Sequence, residues 1–243
     1  MAHLYIDEEL DNAVVGDSVS LSKAEARHAV TVSRLKVGEM VSISNGAGLT
    51  VSGPITVAEH TELTIEVTQA VTTPRRTPAV FLAQALAKAD RDELAVQVAT
   101  ELGIDGVIPW SAARSISRWQ GAKVAKGRDR WAAIVREASK QSLRSWIPDV
   151  IDLVTTKQLA AFASSTRMLI LEPTATATLS ELEVDERDIV LVVGPEGGVA
   201  DHELELLTAA GASTVRLGDE VLRTSTAGPA ALAVLNVKLG RWG

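Results

Sequence analysis

Apolar and polar residues alternate with a period of two over Asp17–Leu21, Glu39–Ser44, Leu49–Val57 and Glu62–Val71. Strands that bury one face and expose the other show this pattern. Asn45-Gly46-Ala47-Gly48 falls between two of the runs and predicts a hairpin turn. One helix interrupts them. Ser22-Lys23-Ala24-Glu25 has the capping-box pattern, and the segment to Lys36 sets Ala26, Ala29, Val30, Ser33 and Val37 toward one side.

The pattern changes at Thr72-Thr73-Pro74-Arg75-Arg76-Thr77-Pro78, where two prolines favour extended backbone and nothing is apolar. We place a domain boundary there, giving residues 1–72 and 73–243. Short strands with one helix suggest that the first is a small β-barrel of the OB or PUA type, a scaffold that often binds nucleic acid. In the second, strands alternate with longer helical segments, the signature of an α/β domain with a parallel sheet. The predicted strands are Ala79–Ala83, Gly106–Pro109, Val150–Leu153, Met168–Leu171, Ile189–Val193 and Thr214–Leu217. The predicted helices are Asp90–Leu102, Arg128–Arg144, Thr156–Phe162, Asp201–Ala210 and Thr226–Leu239.

Ile189–Val193 is an unbroken aliphatic run, as in a strand covered on both faces, and it stops at Gly194-Pro195-Glu196-Gly197-Gly198. Three glycines in five residues cost ordering entropy unless the turn is very tight or something approaches its backbone. The spacing matches neither Gly-x-x-x-x-Gly-Lys-Ser/Thr nor Gly-x-Gly-x-x-Gly, so nucleotide hydrolysis and dinucleotide binding are disfavoured. A neutral or cationic ligand held by backbone groups fits better. A second candidate loop, Leu217–Ala227, follows the next strand, and a third is Leu171-Glu172-Pro173-Thr174. In a parallel sheet such loops emerge at the carboxyl ends of strands, where ligands bind.

Composition narrows the chemistry. The 243 residues contain no cysteine, which excludes disulfides and thiolate catalysis, and the four histidines show no metal-ligand spacing. There is no apolar run long enough to span a membrane, and acidic residues stand where a signal peptide would be basic and then apolar. We therefore expect a cytoplasmic protein without a metal. The net charge is −7, but it is unevenly spread. Residues 74–150 hold 13 basic and 8 acidic residues, while both flanking segments are acidic. Such a local positive field steers a polyanion to one part of the molecule.

The helix predicted at Arg128–Arg144 carries a buried stripe of Trp131, Ile134, Val135 and Ala138, and a ridge of Arg136, Lys140 and Arg144. Arg114, Arg118, Lys123 and Lys126 precede it in what reads as a glycine-containing loop, with Trp119 and Trp146 nearby. Cations interleaved with aromatics suit irregular or single-stranded RNA. Arg34 reads as a further RNA contact and His28 as a structural residue.

Together these motifs resemble the ribosomal RNA small subunit methyltransferase E family, uridine-N3 methyltransferases of the SPOUT class. Gly194–Gly198, Leu217-Gly218, Leu222-Arg223-Thr224 and Thr226-Ala227 carry the resemblance at the carboxyl end. Upstream it extends to Lys88, Glu101-Leu102-Gly103-Ile104, Arg114-Ser115, Glu137-Ala138, Gln141-Ser142, Arg144 and Pro148, and to His28, Val32 and Arg34. It implies a PUA-like amino-terminal domain and a carboxyl-terminal α/β domain closed by a trefoil knot. It also implies a homodimer, S-adenosylmethionine as cofactor, and 16S rRNA of the 30S subunit as substrate, methylated at N3 of a decoding-region uridine. The implied cofactor residues are Leu171, Glu172 and Pro173; Gly194, Pro195, Glu196, Gly197 and Gly198; and Leu217, Gly218, Leu222, Arg223, Thr224, Thr226 and Ala227. Arg223 is the candidate catalytic cation and Glu196 the candidate proton acceptor. RNA contacts are expected at Arg34, Lys88, Arg114, Arg118, Lys123, Lys126, Arg136, Lys140 and Arg144. Two positions depart from the family pattern: Ser225 replaces a glutamate, and Ala200 replaces a serine helix cap, leaving Asp201 as the candidate substitute. The rival reading is a non-catalytic RNA-binding protein that retains the knot as a dimerisation element.

Overall fold

The computed structural model describes residues 3–21 and 23–242. The chain divides into two compact units, Met1–Arg75 with Ser139–Ile147, and Arg76–Ala138 with Pro148–Gly243. A cut after residue 72 differs from this division chiefly because the later segment Ser139–Ile147 groups with the first unit. Backbone bonds tie it there: Gly48 N–H donates to the Ser145 carbonyl and Ile147 N–H to that of Gly46.

The first unit holds strands β1 (Leu4–Ile6) and β2 (Ser18–Leu21), then helix α1 (Lys23–Arg27), which continues into a π-helical turn, His28–Val32. Strands β3 (Met40–Ser44), β4 (Leu49–Glu59), β5 (Glu62–Glu66) and β6 (Gln69–Thr72) follow. They form a mixed sheet in the order β1-β3-β4-β5-β2, with β6 also on β4. Only β1 and β3 run parallel among these pairs. Alternate residues point inward, so Val19, Ile43, Val51, Ile55, Leu63 and Ile65 make one core. The β3–β4 turn forms where expected, because Asn45 Oδ1 accepts from the N–H groups of Ala47 and Leu49 at 2.8 and 3.0 Å.

Three features differ from expectation. The run Glu62–Val71 is two strands, since Val67 N–H turns to the Asp17 carbonyl while Thr68 N–H turns to that of Ser52. The helix ends by Val32, with Arg34 at φ 57°, and Leu35 rather than Val37 is buried. The Ser22 part of the capping signal lies outside the described residues. β1 was too short for its periodicity to be read.

The second unit contains β7 (Val80–Ala85), α2 (Arg91–Glu101), β8 (Gly106–Ser111), α3 (Ala122–Gln141), β9 (Asp149–Val150), β10 (Val154–Thr155), α4 (Thr156–Phe162), β11 (Arg167–Leu171), β12 (Ile189–Val193), α5 (Asp201–Ala209), β13 (Ser213–Val215) and α6 (Thr224–Lys238). Its sheet runs β10-β8-β7-β12-β11-β13, with β9 also on β8, and every pair is parallel. β12 is buried along its whole length, as its aliphatic run requires. Val190 and Val192 share a core with Leu159 of α4 and Leu207 of α5. On the opposite face α6 packs on β12 and α2 on β7. Each such buried Val or Leu contributes roughly 1.5–3 kcal/mol relative to exposure. No helix among the described residues is long and apolar enough to cross a membrane.

Helix α3 starts at Ala122, not Arg128, so Lys123 and Lys126 are helical rather than in a loop. The strand expected at Val150–Leu153 is two short pieces, β9 and β10, and β13 ends at Val215 before Leu217.

Candidate functional site

Because β12, β11 and β13 are parallel neighbours, the chain leaves all three at the same edge of the sheet. The loops that follow enclose a cavity of about 450 Å³. Thirteen of the expected cofactor residues line it: Leu171, Glu172, Pro173, Gly194, Pro195, Glu196, Gly198, Leu217, Gly218, Leu222, Arg223, Thr224 and Ala227. Gly197 and Thr226 do not. Gly197 faces Arg114, whose Cβ would lie 3.3 Å from an added side-chain carbon, and Thr226 closes the first turn of α6 through its N–H on the Arg223 carbonyl.

The glycine turn is explained partly by its own closure. A Cβ at Gly194 would stand 3.0 Å from Val199 Cγ2 and 3.1 Å from the Val199 nitrogen, so a side chain there requires Val199 to give way by a few tenths of an ångström. Gly198 has φ 72°, a conformation that other residues adopt at a cost. Ligand access is therefore not the sole reason for glycine in this turn.

Arg114 also braces the turn. Its guanidinium donates to the carbonyls of Gly197 and Val199 at 3.3 and 3.1 Å and pairs with Asp201 at 3.4 Å. Its donors are thus directed at protein acceptors of the turn, although the side chain, expected to meet RNA, is about half exposed. Helix α5 begins without a side-chain cap at Ala200, and Asp201 does not supply one. Buried Glu203 instead reaches back to the Ala200 N–H at 3.3 Å, while its other oxygen accepts from Ala113 N–H at 2.9 Å and from the Thr156 hydroxyl at 2.5 Å.

Glu196 projects from the turn to the segment before α2. It accepts from Lys88 N–H at 3.1 Å and from the Arg91 guanidinium at 3.2 Å. Desolvation pushes its carboxyl up, but hydrogen bonds from its own and the Lys88 backbone, together with Arg91, outweigh this and hold it below the ordinary carboxylate value. A carboxylate so stabilised is a weaker base than a free one, and these contacts make Glu196 a brace between the turn and the segment before α2. What it braces is strained: Ala89 and Asp90 have φ of 52° and 57°, at a cost of roughly 1–3 kcal/mol each. From within, the Asp92 carboxylate accepts from Ala87 N–H at 3.1 Å.

Arg223 stands at the amino terminus of α6 and faces the cavity with an exposed side chain. Among the described residues its guanidinium has no hydrogen-bond or ion-pair partner. Arg91 and Arg216 also line the cavity, and neither was legible in the sequence, where nothing distinguishes them from surface cations. Arg216 pairs with Asp219, and its buried Nε has no hydrogen-bond partner. No group of three or more His, Cys, Asp or Glu side chains that could hold a metal ion occurs among the described residues.

The other expected RNA residues are dispersed. Arg118 donates to the carbonyls of Ala112 and Ala113 at 3.1 and 2.9 Å, which fixes its own loop. Lys140 is almost buried in the first unit, with Nζ 3.2 and 3.1 Å from the two carboxylate oxygens of Glu25. A phosphate at this expected RNA contact would have to compete with a desolvated carboxylate. Arg136 pairs with Glu137 at 3.3 Å, and Arg144 is half-buried with N–H bonded to the Ser139 carbonyl. The side chains of Arg34, Lys88, Lys123 and Lys126 are exposed. Neither tryptophan is a free stacking platform. Trp119 lies over Gly127 and meets Trp131 edge-on at 5.5 Å, and Trp146 donates to the Thr73 carbonyl at 2.8 Å with Arg75 over its ring. His28 packs edge-on against Tyr5 at 6.0 Å.

Residues 74–236 match the family model of the RNA methyltransferase domain. A Mycobacterium bovis protein named Ribosomal RNA small subunit methyltransferase E is 40% identical over 224 residues, covering 90% of this chain and 86% of that protein. The chain belongs to the ribosomal RNA small subunit methyltransferase E family. Further members of the family support the same placement. A Bacillus subtilis protein of that name is 30% identical over 229 residues, covering 89% of each. The crystal structure of the Neisseria gonorrhoeae member, bound to S-adenosyl methionine, superposes with a TM-score of 0.87 at 28% identity and covers 98% of both chains.

Proposed function

We propose that the protein transfers the methyl group of S-adenosylmethionine to N3 of a decoding-region uridine in 16S rRNA. The observation that carries this reading is the cavity at the ends of β11, β12 and β13, with the unpaired Arg223 in its wall. The residues fit the cofactor. The volume of about 450 Å³ lies in the usual range for small-molecule sites. Leu171, Val193, Leu217 and Leu222 offer apolar walls for an adenine, and Glu172 and Glu220 offer negative charge to a sulfonium and an ammonium. The unpartnered Arg216 Nε is a donor suited to a carboxylate or hydroxyl. When bound, the cofactor supplies an electrophilic methyl group.

The chain's own contribution is positioning and charge. Two turns fixed by Arg114, Glu196 and Glu203 hold the cavity walls in place, which lowers the entropic cost of bringing the reactants together. As the imide proton passes to water, negative charge spreads over N3 and the flanking carbonyl oxygens of the uracil. Arg223, a cation without a competing carboxylate, stabilises that charge. Ser225 follows two positions on in place of the family's usual glutamate, so that position offers no carboxylate to pair with Arg223.

The PUA-like barrel, the trefoil knot, the homodimer and cytoplasmic action on 30S subunits belong to the same reading. The exposed Leu94 on α2 and Val237 on α6 offer apolar surface for a second copy. Arg223→Ala should lower kcat on the order of 100-fold with little change in cofactor affinity by calorimetry. Unchanged turnover would remove Arg223 from the mechanism.

A further inference from the structure

Gln84 is a fully buried amide in the middle of the parallel sheet, on β7 beside β12, and family motifs and periodicity give no reason for it. Its Nε2 donates to the Ala85 carbonyl at 3.1 Å and to the Thr224 hydroxyl at 2.8 Å. Both amide hydrogens are thus used. Having accepted from Gln84, the Thr224 hydroxyl keeps one proton, which it donates to the Gly194 carbonyl at 2.8 Å. The bonds run in one direction, from amide to hydroxyl to the glycine turn. They join two loops that both line the cavity, the turn after β12 and the start of α6. A buried amide is costly in a sheet core, and Gln84 Oε1 has no hydrogen-bond partner, so the residue is not there for stability alone.

We propose that Gln84 is a positioning residue for the cofactor: it orients the Thr224 hydroxyl so that the glycine turn and the Arg223 loop are held at a fixed separation. This rests on reading the cavity as the S-adenosylmethionine site. The chain supplies its own control. Asn236, near the other end of α6, is an equally buried amide, with Nδ2 2.8 Å from the Leu102 carbonyl and Oδ1 likewise unpartnered. It anchors the same helix but does not touch the cavity.

The test compares Gln84→Met, Thr224→Val and Asn236→Leu in the full chain, by thermal melting without ligand and by calorimetry with S-adenosylmethionine. Gln84→Met and Thr224→Val should each weaken binding at least ten-fold, and the double variant should be no worse than the poorer single one, because both break one relay. Asn236→Leu should shift the melting temperature but leave affinity within about two-fold. Wild-type affinity in Gln84→Met, additive losses in the double variant, or an equal loss in Asn236→Leu would each overturn the inference. Thr224→Val decides the matter if Gln84→Met does not fold. A wild-type protein that does not bind S-adenosylmethionine would overturn the reading of the cavity itself, an outcome distinct from the others.

Discussion

Two charged residues that stand close in the sequence reading have opposite circumstances in the fold. Glu196 is held by Lys88 N–H and Arg91, and Arg223 is held by nothing among the described residues. A carboxylate with a lowered folded pKa stabilises the protein above its unfolded value, here 4.5, and that contribution is lost as pH falls through the folded value. Glu196→Gln should therefore melt at a lower temperature than wild type near neutral pH, and the difference should shrink as the pH falls below 4.5. A constant difference across the range would contradict a role as an ionised brace. The motifs brought Glu196 and Arg223 to notice, but not which was free to act. That depended on Lys88 and Arg91, more than 100 residues away in sequence. Gln84 escaped notice for the same reason, since its partner Thr224, and Gly194 beyond it, come from distant loops.

At the scale of elements, strand and helix types were largely legible because burial imposes its period directly on sequence. Ile189–Val193 and Thr156–Phe162 form as expected to the residue. The misreadings occurred where tertiary contacts override periodicity. Trp119, packed on Gly127 and Trp131, allows α3 to begin at Ala122 through a stretch that otherwise reads as a loop. The basic ridge on that helix was visible, but its uses were not. Lys140 is taken up by Glu25, and Arg114 and Arg118 by backbone carbonyls. Lys123 and Lys126, exposed in the first two turns of α3, are the cations best able to meet phosphate. Replacing both with alanine should weaken RNA binding and make the slope of log affinity against log salt shallower by about 0.7 per lost contact. A slope equal to that of wild type would show that this part of α3 does not touch the RNA backbone, and Lys140→Ala should act on stability instead.

Over the whole molecule, composition marks a change near Pro74 and the compact units divide at Arg75, whereas nothing in the sequence marks residues 139–147 as part of the first unit. It depends on backbone pairing between Gly46, Gly48 and residues about 100 positions later, for which local sequence has no signature. The acidic protein carries 13 of its 24 basic residues in residues 74–150, but the fold disperses them and pairs several with protein acceptors. The central claim is a reaction at one atom of 16S rRNA. The most direct measurement is transfer of labelled methyl from S-adenosylmethionine to 30S subunits and to free 16S rRNA, followed by mapping of the modified nucleotide. The account predicts label at N3 of a single decoding-region uridine. Absence of transfer to both substrates, or label on a ribose or another base, would contradict it.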